Sequence, residues 1–221
     1  MAVQLVAFNK NPNIGIFGRV NDRIAIVPRG SPRSFATALE ESLEVEVHQT
    51  NIAGTSLVGS LVAMNNSGLV VTRQATAEEV KELKGLGMKV AVIKDKYTAM
   101  GNLLLLNDRG AIAGKGFGKR SLRLMADALD CEVVTGELGE FRTLGAIGIA
   151  TNKGALLHPL VSEGELEWVE GILKVEVDVG TVNRGVGFVR TGIIANSNGL
   201  LMGNETTGPE ITRIEETLGL L

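Results

Sequence analysis

The run Gly114-Lys115-Gly116-Phe117-Gly118-Lys119-Arg120-Ser121 has the residue types of a phosphate-binding loop. In such a loop, glycines let backbone N–H groups approach the phosphates, and a lysine followed by Ser or Thr holds phosphate and metal. The spacing fails twice here. Ala113 stands where the first glycine belongs, and Arg120 follows the lysine. The dinucleotide pattern fails too, because Lys119 occupies the place of its third glycine. Cys131, His48 and His158 are the chain's thiol and imidazoles. A thiol nucleophile needs a base within reach and an acid to orient that base. Cys131 instead lies in Leu129-Asp130-Cys131-Glu132-Val133, a helix-to-strand junction where a small buried side chain is expected. Two separate histidines make no metal site. No catalytic residue, cofactor or metal ligand is therefore expected. Lys115, Lys119, Arg120 and Arg123 form the densest basic cluster. It reads as a solvated helix start or as a minor contact with RNA or an acidic partner. Trp168, beside Val169, reads as packing.

The bulk properties narrow the function further. A net charge of −3 argues against holding nucleic acid by phosphate neutralisation. Aromatics make up 4% of the chain, so base-stacking platforms are scarce. No apolar run approaches the roughly 18 residues of a membrane span, and Met1-Ala2-Val3-Gln4 lacks the charged start of a signal peptide. One cysteine cannot form an internal disulfide, which fits a reducing compartment and a cytoplasmic location.

These residues sit on a repeat of about 44 residues: strand, turn, strand, then a capped helix. The turn position falls near residues 23, 68, 110, 154 and 199, with Arg23 in the first copy and glycine in the others. Eight residues further on stand Ser31, Thr76, Gly118, Ser162 and Thr207, all suited to a helix N-cap. Glu79, Glu165 and Glu210 supply capping-box partners, and Pro32 suits a first helical position. Hairpins are expected from 14–20 with 24–27, over 57–71 and 102–113, and from 143–150 with 154–157 and 186–196 with 199–202; strands after the helices are expected at 45–47, 89–93, 132–135 and 174–179. Helices are expected over 32–43, 77–86, 119–129, 163–173 and 209–218, with apolar residues at 3/4 spacing forming one stripe each. The first four helices are each followed by a strand, but the chain ends where the fifth strand is due. Residues 3–8 are expected to complete that last unit and close a ring, making 1–221 a single α/β domain of five repeats. Closure removes exposed sheet edges.

Particular residues resemble the translation initiation factor 6 family. They are Phe8, Asn11, Ile14-Gly15, Phe17, Ile52-Ala53-Gly54, Gly59, Gly68-Leu69, Gly101-Asn102, His158-Pro159 and Gly180-Thr181-Val182-Asn183-Arg184-Gly185. The similarity spans the chain. The chain stops just after the fifth helix, without the C-terminal tail of eukaryotic members, and so resembles the archaeal form. The resemblance implies a pentein fold: five αβ units about a pseudo-fivefold axis. It implies a non-enzymatic, monomeric anti-association factor with no membrane partner. Such factors bind the joining face of the large ribosomal subunit, through ribosomal protein there and near the sarcin–ricin loop. They block the small subunit and accompany large-subunit maturation. Release in the family involves a Shwachman–Diamond-type protein with a translational GTPase. Other penteins are guanidine-modifying enzymes with a catalytic Cys, His and acids, and a purely structural ring is a third reading. This chain has no cysteine near its C-terminus, where those enzymes carry the nucleophile.

Steric occlusion needs a shaped surface, and the loops that lead into each hairpin are expected to form it. These loops are 9–13, 50–56, 94–102, 136–142 and 180–185, all expected at one end of the ring. The candidate contact residues are Asn11, Asn51, Ser60, Asn102, Asn183 and Arg184. Asn102 matches an asparagine at the family's ribosome-facing end, and Ser60 stands where eukaryotic members carry arginine.

Overall fold

The computed structural model describes residues 3–221. The chain begins with β1 (Val3–Val6). Unit one follows: a 3-10 turn (Ile14–Ile16), β2 (Arg19–Val20), β3 (Ile24–Val27), α1 (Arg33–Leu43) and β4 (Glu46–Gln49). Unit two has α2 (Val58–Leu61), β5 (Ala63–Met64), β6 (Gly68–Thr72), α3 (Ala77–Gly85) and β7 (Lys89–Ile93). Unit three has α4 (Met100–Leu103), β8 (Leu104–Leu106), β9 (Gly110–Gly114), α5 (Lys119–Leu129) and β10 (Glu132–Gly136). Unit four has α6 (Leu144–Ile147), β11 (Gly148–Ala150), β12 (Gly154–Leu157), α7 (Glu163–Leu173) and β13 (Glu176–Val179). Unit five has α8 (Val189–Gly192), β14 (Ile193–Ala195), β15 (Leu200–Gly203) and α9 (Gly208–Thr217).

Each unit is a three-stranded sheet. A hairpin pairs its first two strands antiparallel, and a helix crosses over to a third strand that runs parallel to the second. In unit five that third strand is β1, with Val3 opposite Leu200 and Val6 opposite Gly203. The pairing strand is shorter than residues 3–8, because Phe8 already bridges back to Asn11 across a tight turn. Met1 and Ala2 lie outside the described residues.

The hairpin strands are mostly apolar because both faces are covered, with Arg19 of β2 and Thr72 of β6 as buried exceptions. Residues of β6 and β9 are buried at every position. Cores are shared between units: Ile194 and Leu201 of unit five pack with Phe35 and Leu39 of unit one. At one end of the ring the hairpin turns are stitched together by asparagines. Asn21 Nδ2 donates to the Asn65 carbonyl at 3.0 Å, Asn65 to Asn107 at 3.2 Å, and Asn107 to Thr151 at 3.1 Å. Across the seam, Asn196 donates to Asn21 at 3.0 Å. Each Oδ1 accepts from its own turn's N–H groups, as in Asn107 to Arg109 and Gly110.

Two sequence expectations change. Ser31 does not cap α1: its hydroxyl donates to the Pro28 carbonyl at 2.6 Å, and Pro32 takes the N-cap position. The first halves of the expected hairpins, at 14–20, 57–71, 102–113, 143–150 and 186–196, each include one helical turn before a strand of two or three residues. One turn is too short to display a 3.6-residue period, and these turns are buried nearly all round, so their pattern is that of a buried strand.

Candidate binding face

The five short turns pack against one another in sequence, and α8 returns to the 3-10 turn. Glycine makes this possible. A Cβ at Gly59 would collide with the Gly15 carbonyl, at Gly101 with that of Gly59, and at Gly145 with that of Gly101. Unit five carries Arg190 at this position. Its guanidinium donates to the carbonyls of Gly15 at 3.1 Å, Ile193 at 2.9 Å and Gly18 at 3.1 Å, clasping unit five to unit one. The turns surround a bowl of about 300 Å³ whose lining includes Ser60, Asn102, Thr143, Phe188 and Thr191.

The lead-in loops are tight turns with left-handed residues at their tips. Asn9 and Lys10, Ala53 and Gly54, and Asn183 and Arg184 all have positive φ. The capping-box glutamates hold three of these loops. Glu79 accepts from Thr76 N–H and also from Ala53 and Gly54 N–H, at 2.8–2.9 Å. Glu165 takes Gly139 N–H, and Glu210 takes Arg184 and Gly185 N–H. Unit three inverts the device. Its helix starts at Gly118, which has no side chain, and Asp95 on the loop reaches back to Gly118 N–H at 3.4 Å and Ser121 Oγ at 3.0 Å. In unit one, stacked Phe8 and Phe17 rings with Phe35 edge-on to Phe8 replace the carboxylate.

The six candidate contact residues divide. Ser60 and Asn102 stand together on the bowl wall, half-buried. Among the described residues, neither side chain is taken up by an internal hydrogen bond. Arg184 is exposed at its loop tip. Asn11 Oδ1 accepts from Asn13 N–H at 2.9 Å, and Asn51 Oδ1 from Arg29 N–H at 3.1 Å, so both amides shape turns. Asn183 is 5% exposed: its Nδ2 donates to the Pro12 carbonyl at 3.0 Å and its Oδ1 accepts from Thr206. Asn183 therefore ties unit five's loop to unit one's, and its buried amide is engaged within the fold.

Sequence reasoning missed an aromatic cluster on the same rim. Phe141 lies 4.8 Å from His158 and 5.7 Å from Phe188, ring centre to ring centre. Phe188 is 40% exposed, and so is Leu57 at the equivalent position of unit two, at 42%. No periodic signal marks these residues, because single loop positions have no period. Burial lowers the His158 pKa from its ordinary value.

Reactive chemistry finds no support. Cys131 is half-buried, and burial with the Asp108 and Asp130 charges pushes its thiol up to about 11, so it is no thiolate at neutral pH. Among the described residues no group of three His, Cys, Asp or Glu side chains could hold a metal, and no helix is long and apolar enough to cross a membrane. In the basic cluster, Lys115 pairs with Glu137 at 2.9 Å, while Lys119, Arg120 and Arg123 are exposed. Trp168 is 38% exposed, and its ring lies over Gly136.

Residues 3–217 match the family model described as "eIF-6 family". A protein of Pyrococcus horikoshii called "Translation initiation factor 6" is 35% identical over 227 residues, covering 100% of both chains. One of the same name from Methanocaldococcus jannaschii is 40% identical, covering 97% of this chain and 96% of its own. Among solved structures, the N-terminal domain of ArgZ bound covalently to a reaction intermediate superposes with a TM-score of 0.52 at 15% identity. It covers 83% of this chain and 74% of that one. At that identity it speaks for the shared pentein fold alone.

Proposed function

Since the chain belongs to the eIF-6 family, we propose that this translation initiation factor acts by occlusion, binding the joining face of the large ribosomal subunit and blocking the small one. The observation that carries this reading is the rim around the bowl. There, unoccupied Ser60 and Asn102 polar groups sit beside exposed Phe188. Aromatic anchors flanked by polar groups are where interface energy concentrates. The partner surface is ribosomal protein near the sarcin–ricin loop. Mild net acidity favours protein contacts over phosphate contacts. Participation in large-subunit maturation, cytoplasmic residence, action as a monomer, and release by a Shwachman–Diamond-type protein with a translational GTPase belong to the same proposal. So does the absence of catalysis, for which the raised Cys131 pKa is the support.

The test is sedimentation of the pure protein with separated subunits. The protein pellets with large subunits, not with small ones, and keeps the two apart. The double variant Asn102→Ala with Phe188→Ala loses about 2 kcal/mol or more of binding without unfolding. Reversing the charges of Lys119 and Arg120 chiefly alters the salt dependence. Equal pelleting with both subunits refutes the mechanism. Binding lost in the α5 variant and kept in the rim variant moves the surface elsewhere.

A further inference from the structure

Behind the bowl, on the ring's axis, lies a second and smaller cavity of about 30 Å³ to which all five units contribute. Two of its walls are guanidinium groups, Arg19 from β2 and Arg190 from α8. Both residues are buried, at 7% and 6% exposed. Arg190 spends three donor contacts on backbone carbonyls. No hydrogen bond or ion pair from the described residues reaches the Arg19 guanidinium. The repeat does not require charge at either place. The positions equivalent to Arg19 are Ala63, Leu105, Ile149 and Ile194, and those equivalent to Arg190 are glycines.

Two cations in a buried space without a counter-charge are costly, because desolvation is uncompensated and like charges repel. Burial pulls Arg19 down to about 10, and burial with the Arg19 charge lowers Arg190. The nearest axial carboxylates, Asp22 and Asp108, line a separate space at the asparagine end. Val20, Met64, Leu106, Ala150 and Ala195 wall both spaces and so stand between them. The bowl side shares Arg190 and leads inward from solvent.

We propose that this axial cavity is a binding site for a small inorganic anion of halide size, held between Arg19 and Arg190. A water needs roughly 10–15 Å³ of such space, so the cavity takes two or three water-sized particles. That is room enough for chloride or bromide. Anion binding to the folded state alone stabilises it by mass action.

Two measurements test this. A crystal soaked in sodium bromide places an anomalous peak between Arg19 and Arg190. At about five times the dissociation constant, chloride raises the melting temperature by roughly 2–4 °C over gluconate at equal ionic strength. Arg19→Leu, which copies Leu105 of unit three, removes both the peak and the chloride effect. A bromide found on the surface only, an adventitious ion, overturns the proposal without needing any variant. So does a chloride effect that survives in Arg19→Leu.

Discussion

Glu210 joins two jobs in one carboxylate. It caps α9 and holds the Arg184–Gly185 turn. Burial alone would raise its pKa, but hydrogen bonds from the Thr207 and Gly185 backbone and the Thr181 and Thr207 hydroxyls hold it down to about 2, against an ordinary 4.5. A depressed carboxyl contributes stability that is present above the unfolded pKa and is lost as pH falls from about 4.5 toward 2. Solvent screening leaves about 1 kcal/mol of this. Urea unfolding at pH 6 and pH 3 checks it: the wild type weakens more on acidification than Glu210→Gln, and equal losses would remove Glu210 from the account. Asn183→Ala leaves Thr206 and the Pro12 carbonyl short of a partner and puts alanine at φ 50°. It costs about 1–3 kcal/mol of stability, read as a lowered melting temperature. Normal stability with lost subunit binding would place Asn183 on the contact surface.

Among the turns, the asparagine circle has one missing link. Four turns donate an amide to a neighbouring unit, but Thr151 has no Nδ2 to give. Three of the four amides also reach the end of a neighbouring helix, at the Leu43, Leu129 and Leu173 carbonyls. The matching helix for Thr151 is α9, which carries a buried hydroxyl without a partner, Thr217 Oγ1. Thr151→Asn is therefore expected to stabilise the fold by about 1 kcal/mol, measured as a higher denaturation midpoint; a lower midpoint would mean the site cannot seat the amide. The repeat was legible because its markers are local. Capping boxes place Thr or Ser three residues before Glu, and a turn glycine such as Gly68 is required where the Ala128 carbonyl would collide with any Cβ. The short axial helices were not legible, since one turn shows no period. Nor was the second role of Glu79, whose loop partners lie some 25 residues upstream. On the rim, Ser60 and Asn102 were named through the family resemblance, but Phe188 was hidden, because a single loop position has no period.

For the whole molecule, closure combines the β1–β15 strand pair with ties across the seam from Arg190, Asn183 and Asn196. β1 covers the edge of β15, and Val3 packs against the cluster that holds Leu218 and Leu220. Deleting residues 1–6 exposes that edge and the core behind it. The melting temperature is expected to fall by several degrees, with increased aggregation; an unchanged transition would show that the ring holds without its first strand. Arg190 bridges the same seam from the axis, so Arg190→Ala compounds the truncation more than additively, as expected for groups at one junction.

That seam also sets a clock. Val3 is made well before its partner Leu200, which lies at the far end of the sequence from it. At about 5–20 residues per second, β1 waits roughly 10–40 s for its edge to be synthesised. The bowl exists only after that wait, because α8 and the 3-10 turn that meet across it come from opposite ends of the chain. A nascent or truncated copy therefore has no complete face to offer. The face is withheld until β15 has been synthesised, a timing written into the order of the strands.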